Sequence, residues 1–310
     1  MSDLFTTTIL IATVASGIRL ATPFLLASLG EALGQRSGVL NLGVDGVMLL
    51  GAFSAYYIVL RTGNLWLGIC VGLFIGGLIG LFYAFITVNL CAQQGVSGIG
   101  IYLFGLGMSD LLFQKLVGTP RPILPFAPFR IPLLSDIPVI GEMFFEHSLI
   151  VYIAFLLVPI GTLLINRTTF GMNVRAIGEN PEAADSLGVS IAKVRYSNLI
   201  IGNSLAGLAG AALAIELGIF QQNLTNAMGF IAIALVYFGA WRPVGVMAGS
   251  LVFGLVTSVV LLAKTLGIIP RSASDLAAMA PAIITILALV FVANRFRQPT
   301  ALTKPYIRGD

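Results

Sequence analysis

Polar side chains inside apolar stretches are the residues of this chain most suited to chemistry. Asn41 and Asp45 are four residues apart, so they share a face wherever the chain there is helical. Asp110 and Glu216 lie nearer the ends of other apolar stretches. Ionisable groups at membrane depth usually mark a pathway for ions or polar solutes. The candidates for lining such a pathway are Asn41, Asp45, Asp110 and Glu216; the alternative for Asp45 is an interface or the cap of a half-helix.

The run 34–46 around Asn41 and Asp45 is rich in glycine, with Gly34, Gly38, Gly43 and Gly46. Glycine lowers the cost of leaving the helical conformation, and irregular backbone is tolerated at membrane depth where it faces protein or a wet cavity. We therefore expect a discontinuous or re-entrant segment here.

Catalytic and metal-binding chemistry finds little support in the sequence. His147 is the single histidine, so no Ser/His/Asp or Cys/His nucleophile set can be assembled around a second one. Cys70 and Cys91 do not have metal-ligand spacing. The chain has no Gly-x-x-x-x-Gly-Lys-Ser/Thr loop for ATP. We therefore expect no enzymatic activity and no bound cofactor. We also expect no nucleic-acid partner, because a net charge of +4 fits an ordinary excess of Lys and Arg in cytoplasmic loops.

The charged stretch 171–189 reads GMNVRAIGENPEAADSLGV and predicts a short helix over 181–187. Asn180 is a good N-cap, Pro181 suits the first helical position, and Gly188 is a natural stop. The charge of Glu182 suits a helix N-terminus. A helix of this length is not stable alone in water, so it must pack on its own bundle or on a partner protein, and local physics favours neither.

The elements that carry these residues are long apolar helices. The chain is 57% hydrophobic and only 10% charged, too few charges to cover a soluble surface. Unbroken apolar runs of about 20 residues favour spanning helices over a barrel, whose strands would alternate. We predict an all-α, polytopic transmembrane bundle of about 8–10 spans in one domain, 1–310, some of them discontinuous. The candidate spans are 6–30, 38–60, 65–90, 96–117, 148–165, 198–217, 227–241, 244–263 and 276–294.

Three polar segments set the orientation. The loop 166–197 and the tail 295–310 both carry Lys and Arg, so the positive-inside rule makes both cytoplasmic. The proline-rich loop 118–147, which cannot be a regular helix, is then external. Counting back puts the N-terminus outside, although a re-entrant piece near 31–46 would change that result. The N-terminus lacks the basic start of a cleavable signal peptide, so the first span is expected to be its own membrane signal.

Small residues repeat every four positions in two of the spans. Residues four apart share a helix face, so each series is a smooth groove that allows another backbone to approach closely. The groove either packs statically or forms a moving transport interface. The two series are Gly68, Gly72, Gly76, Gly80 and Ala84, and Gly202, Ala206, Gly210 and Ala214.

Four runs together resemble one known family. They are GQRSGVLNLGVDGVMLLGAF (34–53), RTTFGMNVRAIGENPEAADSLGVSIAKVRY (167–196), GFIAIALVYFGAWRPVG (229–245) and LTKPYIRG (302–309). The chain is similar over nearly its whole length to the branched-chain amino acid, ribose and nucleoside permeases of ATP-binding-cassette (ABC) importers. The forms RAIGENPEAA and WRP are most similar to the nucleoside branch, whose binding proteins are basic membrane lipoproteins.

The resemblance implies a permease subunit in the bacterial plasma (inner) membrane that transports nucleosides. It implies a separate ATP-binding subunit that holds ATP and magnesium, a second and different permease subunit, and an extracytoplasmic substrate-binding lipoprotein. It also implies that residues 178–188 form the coupling helix that docks on the ATPase. Small residues are expected to approach a groove on that partner and acidic residues to face cations around it; the coupling residues are Gly178, Glu179, Asn180, Pro181, Glu182, Ala183, Ala184, Asp185 and Gly188.

Other functions stay open at this point. A permease of the same family could carry sugars or branched-chain amino acids. A protein of another class, an ion-coupled secondary transporter or a channel, would use Asp45, Asp110 or Glu216 for ion coupling. A membrane scaffold would carry no substrate. The aromatic residues of the spans do not define a nucleoside pocket, since aromatics in spans usually pack in the core or against lipid.

Overall fold

The computed structural model describes residues 7–132, 134–270, 273, 276, 277, 279–293 and 297–307. Within them the chain is a bundle of helices with a single two-residue antiparallel pairing, which confirms the predicted all-α fold. The helices are α1 (Thr7–Arg36), α2 (Val44–Thr62), α3 (Leu65–Ala84, continued by a π-helical turn Phe85–Asn89), α4 (Gln94–Leu116), α5 (Ile140–Phe144), α6 (Leu149–Arg167), α7 (Thr169–Glu179), α8 (Pro181–Ser186), α9 (Ile191–Leu217), α10 (Met228–Phe238), α11 (Pro243–Thr265) and α12 (Ala280–Ala293).

Seven of the helices in the described residues are long and apolar enough to cross a membrane. They are α1, α2, α3 with its π turn, α4, α6, α9 and α11. The predicted spans 227–241 and 276–294 correspond to shorter apolar helices, α10 with 11 residues and α12 with 14. Within the last of these spans, residues 278 and 294 lie outside the described residues.

The two ends of the bundle are defined by contacts between distant segments. At one end, which we call the charged-loop end, Tyr196 in α9 meets Asn89 after α3, and Trp241 before α11 meets Gln35 in α1. At the opposite end, which we call the proline-rich end, the Tyr56 hydroxyl of α2 donates to the carbonyl of Arg121. The described part of the tail, 297–307, packs at the charged-loop end, as the sequence predicts; Arg295 and Arg308 lie outside the described residues.

Two boundaries differ from the predicted ones. The loop expected over 166–197 is mostly helical, because α7 and α8 occupy it and α9 already begins at Ile191. The span predicted to begin at 38 begins at Val44 instead. Gly38, with φ of +88°, ends α1, and the amides of Gly38 and Val39 bond back to the carbonyls of Gln35 and Gly34. We call residues 37–43 the helix break.

The expected discontinuity therefore lies within the glycine-rich run 34–46 but is shorter than that run. Gly34 remains inside α1, and Gly46 lies inside α2. Both glycines serve close packing rather than chain reversal, since a Cβ on Gly46 would meet the backbone of Tyr102 in α4. Arg19, which interrupts the apolar pattern of the first span, does not interrupt α1.

The predicted small-residue grooves are occupied by neighbouring backbones. In α3, a Cβ on Gly76 would meet the backbone of Gly207 in α9. In α9, a Cβ on Gly202 would meet Gly30 in α1, and one on Gly210 would meet Met48 in α2. Helix α9 is thus packed by small residues on several sides, and it forms the centre of the bundle.

The proline-rich loop contains little regular structure. Phe129–Arg130 pairs antiparallel with Glu146–His147, and α5 lies between these two strands. Arg130 and Glu146 form a salt bridge of 3.0 Å across the pair. The loop is anchored to the bundle where Ile123 donates its amide to the carbonyl of Gly218 at the end of α9.

Candidate functional site

The helix break is held by a buried polar cluster. The Oε1 atom of Glu31 accepts from the amide of Asn41 and from the side chain of Gln35, each at 3.0 Å. Gln35 in turn accepts from the indole N–H of Trp241 at 2.7 Å. The end of α1, the break and the turn between α10 and α11 are therefore joined by side chains that are buried from solvent.

Glu31 is the residue of this cluster that sequence reasoning missed. The available signal was a carboxyl directly after the predicted span 6–30, in the stretch 31–46 that was expected to be re-entrant. Gln35 and Trp241 are 206 positions apart, a pairing that helical periodicity does not reveal.

Asn41 connects the break to the central helix α9. Its side-chain amide donates to Oδ1 of Asn203 at 2.8 Å, and its Oδ1 accepts from the amide of Gly43. Asn203 donates to the carbonyl of Leu199 one turn earlier. Asn41 is fully enclosed, so in this conformation it organises the break and does not line an open passage.

A second contact with the break comes from Gln94, the first residue of α4. Its Oε1 accepts from the amide of Leu40 at 2.9 Å, and the hydroxyl of Tyr83 in α3 donates to the carbonyl of Leu40 at 2.6 Å. The irregular backbone of the break is thus paired with side chains, as backbone at membrane depth must be.

Asp45 is in the first turn of α2, and its side chain lies against the first turn of α10. This agrees with the interpretation of Asp45 as the cap of a half-helix. Its Oδ1 accepts from the amide of Gly229 at 2.8 Å, and its Oδ2 accepts from the hydroxyl of Thr225 at 3.0 Å. The carboxylate therefore caps the N-terminus of a short helix, where the positive end of the helix dipole favours it. Asp45 is enclosed, and Ser28 of α1 binds the same short helix by donating to the carbonyl of Ala232.

The segment before α10 is irregular. Gly218 ends α9 with φ of +68°, and Asn223, Asn226 and Ala227 also have positive φ. Such values are unusual for residues with a Cβ and persist only where the surroundings impose them. Residues 218–227 and α10 together form an interrupted pass. Its short helix begins at Met228, where Asp45 of α2 caps it beside the helix break.

The other two pathway candidates lie elsewhere. Glu216, in the last turn of α9, lines a cavity of about 60 Å³ with Arg19, Thr22 and Met228. Asp110 lies on α4, and its Oδ1 is buried with no hydrogen-bond partner in the described part of the chain. The structure therefore brings Asn41 and Asp45 to one region, and the cavity beside Glu216 reaches Met228, the first residue of α10.

The predicted short helix is present as α8, and both of its caps are formed as the sequence predicts. The side chain of Asn180 accepts from the amide of Ala183 at 3.0 Å, and Pro181 takes the first position. At the other end Gly188 has φ of +83°, and Val189 donates its amide to the carbonyl of Ala184 at 3.0 Å. This is the Schellman arrangement, in which the residue after the glycine also packs back on the helix.

That packing corrects the interpretation of Ala184. Its side chain is only 3% exposed, in a cluster with Val174 and Ile177 of α7 and Ile191 of α9. Ala184 therefore packs on its own chain and cannot face a groove on a partner. The exposed side of α8 carries Glu182, Ala183 and Ser186 and ends at Leu187, whose side chain is 84% exposed.

Leu187 was not singled out from the sequence, although it occupies the C-cap of α8. Leu187 is thus the large apolar side chain that the exposed side of α8 offers to a partner. The acidic residues divide as well: Glu179 and Glu182 are exposed, while Asp185 is half-buried and accepts from the Tyr306 hydroxyl.

Metal-ligand geometry is not found in the described residues, where no group of three or more His, Cys, Asp and Glu side chains could hold an ion. His147 lies under the proline-rich loop and donates from Nε2 to the carbonyl of Met143 at 2.9 Å.

Residues 13–293 match the family model described as branched-chain amino acid transport system / permease component. No solved structure matches the chain significantly.

Three curated relatives cover most of the chain. It is 34% identical to NupQ, the guanosine ABC transporter permease of Bacillus subtilis, over 93% of this chain and 94% of NupQ. It is 33% identical to NupC, a nucleoside ABC transporter permease of Lactococcus lactis, over 96% of each. It is 37% identical to TsgC13 of Haloferax volcanii, provisionally named a glucose ABC transporter permease, over 81% of this chain and 77% of TsgC13.

Proposed function

This chain belongs to the family of permease components of branched-chain amino acid transport systems, and we propose that within it the chain is the nucleoside-importing permease subunit of a bacterial ABC transporter. The assignment of nucleosides as the substrate is supported by the similarity to NupQ and NupC, which extends over more than nine-tenths of the chain. The permease is a multi-pass membrane protein, and we place it in the bacterial plasma (inner) membrane with the charged-loop end in the cytoplasm.

The proposed assembly has four kinds of component. This chain and a second, different permease form the translocation pathway between them. An ATP-binding subunit docks on α8 and hydrolyses ATP with magnesium. An extracytoplasmic lipoprotein delivers the substrate.

A competition assay tests the substrate. In vesicles that contain all partners, unlabelled nucleosides should compete with uptake of a labelled nucleoside, while glucose, ribose and leucine should not. Glucose is the important alternative, because the similarity to TsgC13 supports a sugar permease. Competition by glucose without competition by nucleosides would reject the nucleoside proposal and keep the family.

The energy source separates this proposal from an ion-coupled transporter. Uptake should stop when the partner ATPase is made inactive and should continue when ion gradients are collapsed at constant ATP. The opposite pattern would identify an ion-coupled carrier, with Asp110 or Glu216 as the groups to examine. A membrane scaffold would give no uptake in either case.

Docking of the ATPase is proposed to use the exposed side of α8 and Leu187. A buried aliphatic anchor surrounded by polar contacts is a common way to concentrate binding energy in a small interface. Leu187→Asp should therefore reduce the ATPase that copurifies by about tenfold or more, while the permease stays inserted. Because Leu187 is exposed, this change does not disturb the fold of the subunit.

Leu124→Asp is the matched control. Leu124 is 85% exposed and lies in the proline-rich loop at the opposite end of the bundle, so the same substitution there should leave the ATPase bound. Equal amounts of ATPase on Leu187→Asp and on the unmodified chain would show that α8 is not the docking element.

A further inference from the structure

The described C-terminal residues form a bracket against the loop that carries α8. We call residues 299–306 the tail bracket. The amide of Ala301 donates to the carbonyl of Gly178 at 2.9 Å, and the hydroxyl of Thr300 donates to the carbonyl of Glu179. The hydroxyl of Tyr306 donates to Oδ2 of Asp185 at 3.1 Å. The bracket is therefore bonded to the end of α7 and to α8.

The same bracket is bonded to the helix break. The amide of Thr303 donates to the carbonyl of Gly38 at 3.2 Å. Arg195 of α9 donates from Nε to the carbonyl of Ser37 at 3.2 Å and from Nη2 to the carbonyl of Lys304 at 3.5 Å. One guanidinium group thus holds the first residue of the break and the bracket together, and its side chain is only 2% exposed.

The bracket is fixed in place by more than these bonds. Ala301 and Leu302 are buried, and Leu302 belongs to the main hydrophobic core. Thr303 has φ of +67°, a conformation that a β-branched residue keeps only where the surroundings impose it. A chain terminus is usually poorly ordered unless it is tied down, and this segment is tied at both of its faces.

The break in turn reaches the interrupted pass. Asn41 within the break bonds to α9, and Asp45 just after it caps α10. A displacement of the break therefore acts on the start of α10. The contacts connect α8 to the bracket, the bracket to the break, and the break to α10, whose first turn is capped by Asp45.

From these contacts we infer that the tail bracket is a positioning element, which makes α8 and the helix break move as one body so that displacement of α8 reaches α10. The inference rests on the proposed function, since it assumes that a partner ATPase moves α8. It assigns a role in coupling to Thr300, whose side chain bonds to the end of α7, and to Tyr306, whose side chain bonds to α8. The contacts of the bracket are hydrogen bonds to chain carbonyls and to the carboxylates of Glu179 and Asp185, which are directional and transmit displacement.

The test removes the hydroxyl groups of Thr300 and Tyr306 with little change in side-chain shape. Thr300→Val with Tyr306→Phe conserves the shape of the bracket and deletes its side-chain bonds to Glu179 and Asp185. The ATPase should remain bound and active, because Leu187 and the exposed side of α8 are unchanged. Nucleoside uptake per ATP hydrolysed should fall by about tenfold, because the two lost hydroxyl groups bond to the Glu179 carbonyl and to the carboxylates of Glu179 and Asp185. Gln298→Ala, at an exposed position next to the bracket, is the control and should leave this ratio unchanged.

Amide hydrogen exchange provides a readout that does not depend on transport. In the purified permease, the double variant should accelerate exchange in 178–188 and in 37–43 together, and Gln298→Ala should accelerate neither. Faster exchange confined to 178–188, or an unchanged uptake per ATP in a wild-type complex that transports, would overturn the inference. Absence of ATP-driven uptake by the wild-type complex would instead reject the proposed function, and exchange would still decide whether the bracket joins the two segments.

Discussion

Asp45 can be interpreted in two ways, as a residue that lines the transport pathway or as the cap of α10. Its carboxylate accepts two hydrogen bonds at the start of α10 and is enclosed. A pathway residue would be expected to face a cavity in at least one conformation, whereas a cap is required wherever the short helix is docked. Both roles are compatible if α10 moves during transport.

We predict that Asp45→Asn weakens the hydrogen bonds that hold the start of α10 without affecting assembly with the ATPase. Asparagine keeps one acceptor oxygen but places an amide donor where Asp45 now accepts, and it removes the charge that the helix N-terminus favours. The loss is about 1–3 kcal/mol of unfolding free energy. The ATPase should stay bound while uptake falls.

Thermal unfolding and uptake assays check this prediction, with Asp110→Asn as a comparison on a different helix. If Asp45→Asn is as stable as the unmodified chain and transports normally, the carboxylate is not needed to hold α10. If the ATPase is lost instead, the effect of the change reaches beyond this short helix.

His147 should make the proline-rich end sensitive to acid. Burial lowers the pKa of His147 below its ordinary value, and the positive charge of Arg19 lowers it further. Its Nε2 is bonded to Met143, and its Nδ1 has no partner among the described residues. The folded loop therefore favours the neutral imidazole.

The direction of the pH effect follows from proton binding. Below about pH 6.5 the unfolded loop binds a proton that the folded loop does not, so stability falls as the pH falls through this value. We expect the melting temperature to decrease between about pH 7.5 and about pH 5.5. His147→Gln keeps a side-chain donor without a titrating group and should flatten the dependence. An equal decrease in both proteins would assign the acid sensitivity to other groups.

Residue-level chemistry was predictable where it is local. The caps at Asn180, Pro181 and Gly188 depend on neighbours within a few positions, and all three are formed. Ala184 was misassigned because its burial depends on α7 and α9, which share no local pattern with α8. Glu31 was missed because its partner lies in the break, whose position the glycine pattern did not fix.

At the scale of elements, α9 is packed through glycines on more than one side. Gly207 meets the backbone of Gly72 and Gly76 in α3, while Gly202 and Gly210 meet α1 and α2. The series in α9 chosen from the sequence describes the sides toward α1 and α2. The α3 series instead packs on Asn203, Gly207 and Ala211, one position further round the helix.

We predict that Gly207→Ala separates α3 from α9 and strongly destabilises the bundle. The added Cβ would overlap the carbonyl of Gly72, which is backbone and cannot move aside as a side chain could. Overpacking of this kind typically costs about 1–3 kcal/mol, and more where backbone must shift. Lower yield of folded protein and a lower melting temperature should both be measurable.

Gly107→Ala in α4 is the matched control. A Cβ there meets nothing within 4 Å, so the change should be neutral or slightly stabilising through its helix propensity. Similar melting temperatures for the two variants would mean that the α3–α9 contact is loose.

The spans themselves were predictable because apolar length is a property of the sequence alone. The interrupted pass was harder to predict. The expected span 227–241 shortens to Met228–Phe238, since Asn226 and Ala227 with positive φ and the cap by Asp45 set its beginning. The cap belongs to another helix, so no reading of 218–241 by itself contains it.

At the scale of the whole molecule, the two ends of the bundle differ in the segments that hydrogen bonds join there. The charged-loop end joins the break, α7, α8 and the tail bracket through hydrogen bonds. The proline-rich end joins its loop to α2 and α9. The sequence predicted which segments share an end from charge, but the bonds between them depend on pairings more than 100 positions apart, such as Thr300 with Glu179.

This arrangement predicts opposite accessibility for two exposed alanines. Ala183 lies on α8 at the charged-loop end, and Ala127 lies in the proline-rich loop at the other end. After replacement of the native Cys70 and Cys91, a cysteine at 127 should react with a membrane-impermeant thiol reagent in intact cells. A cysteine at 183 should react only in inside-out vesicles or permeabilised cells.

The physical reason is that neither residue can change ends without the whole bundle inverting. Helix α9 connects the two ends in one continuous stretch of 27 residues, long enough to cross the hydrocarbon core once. By the positive-inside rule, the Lys and Arg residues of the loop around α8 and of the tail are expected to keep that end in the cytoplasm. Both cysteines should also react when the membrane is dissolved, which establishes that each thiol is exposed. Labelling of 183 in intact cells, with 127 protected, would invert the topology and would remove α8 from the reach of a cytoplasmic ATPase.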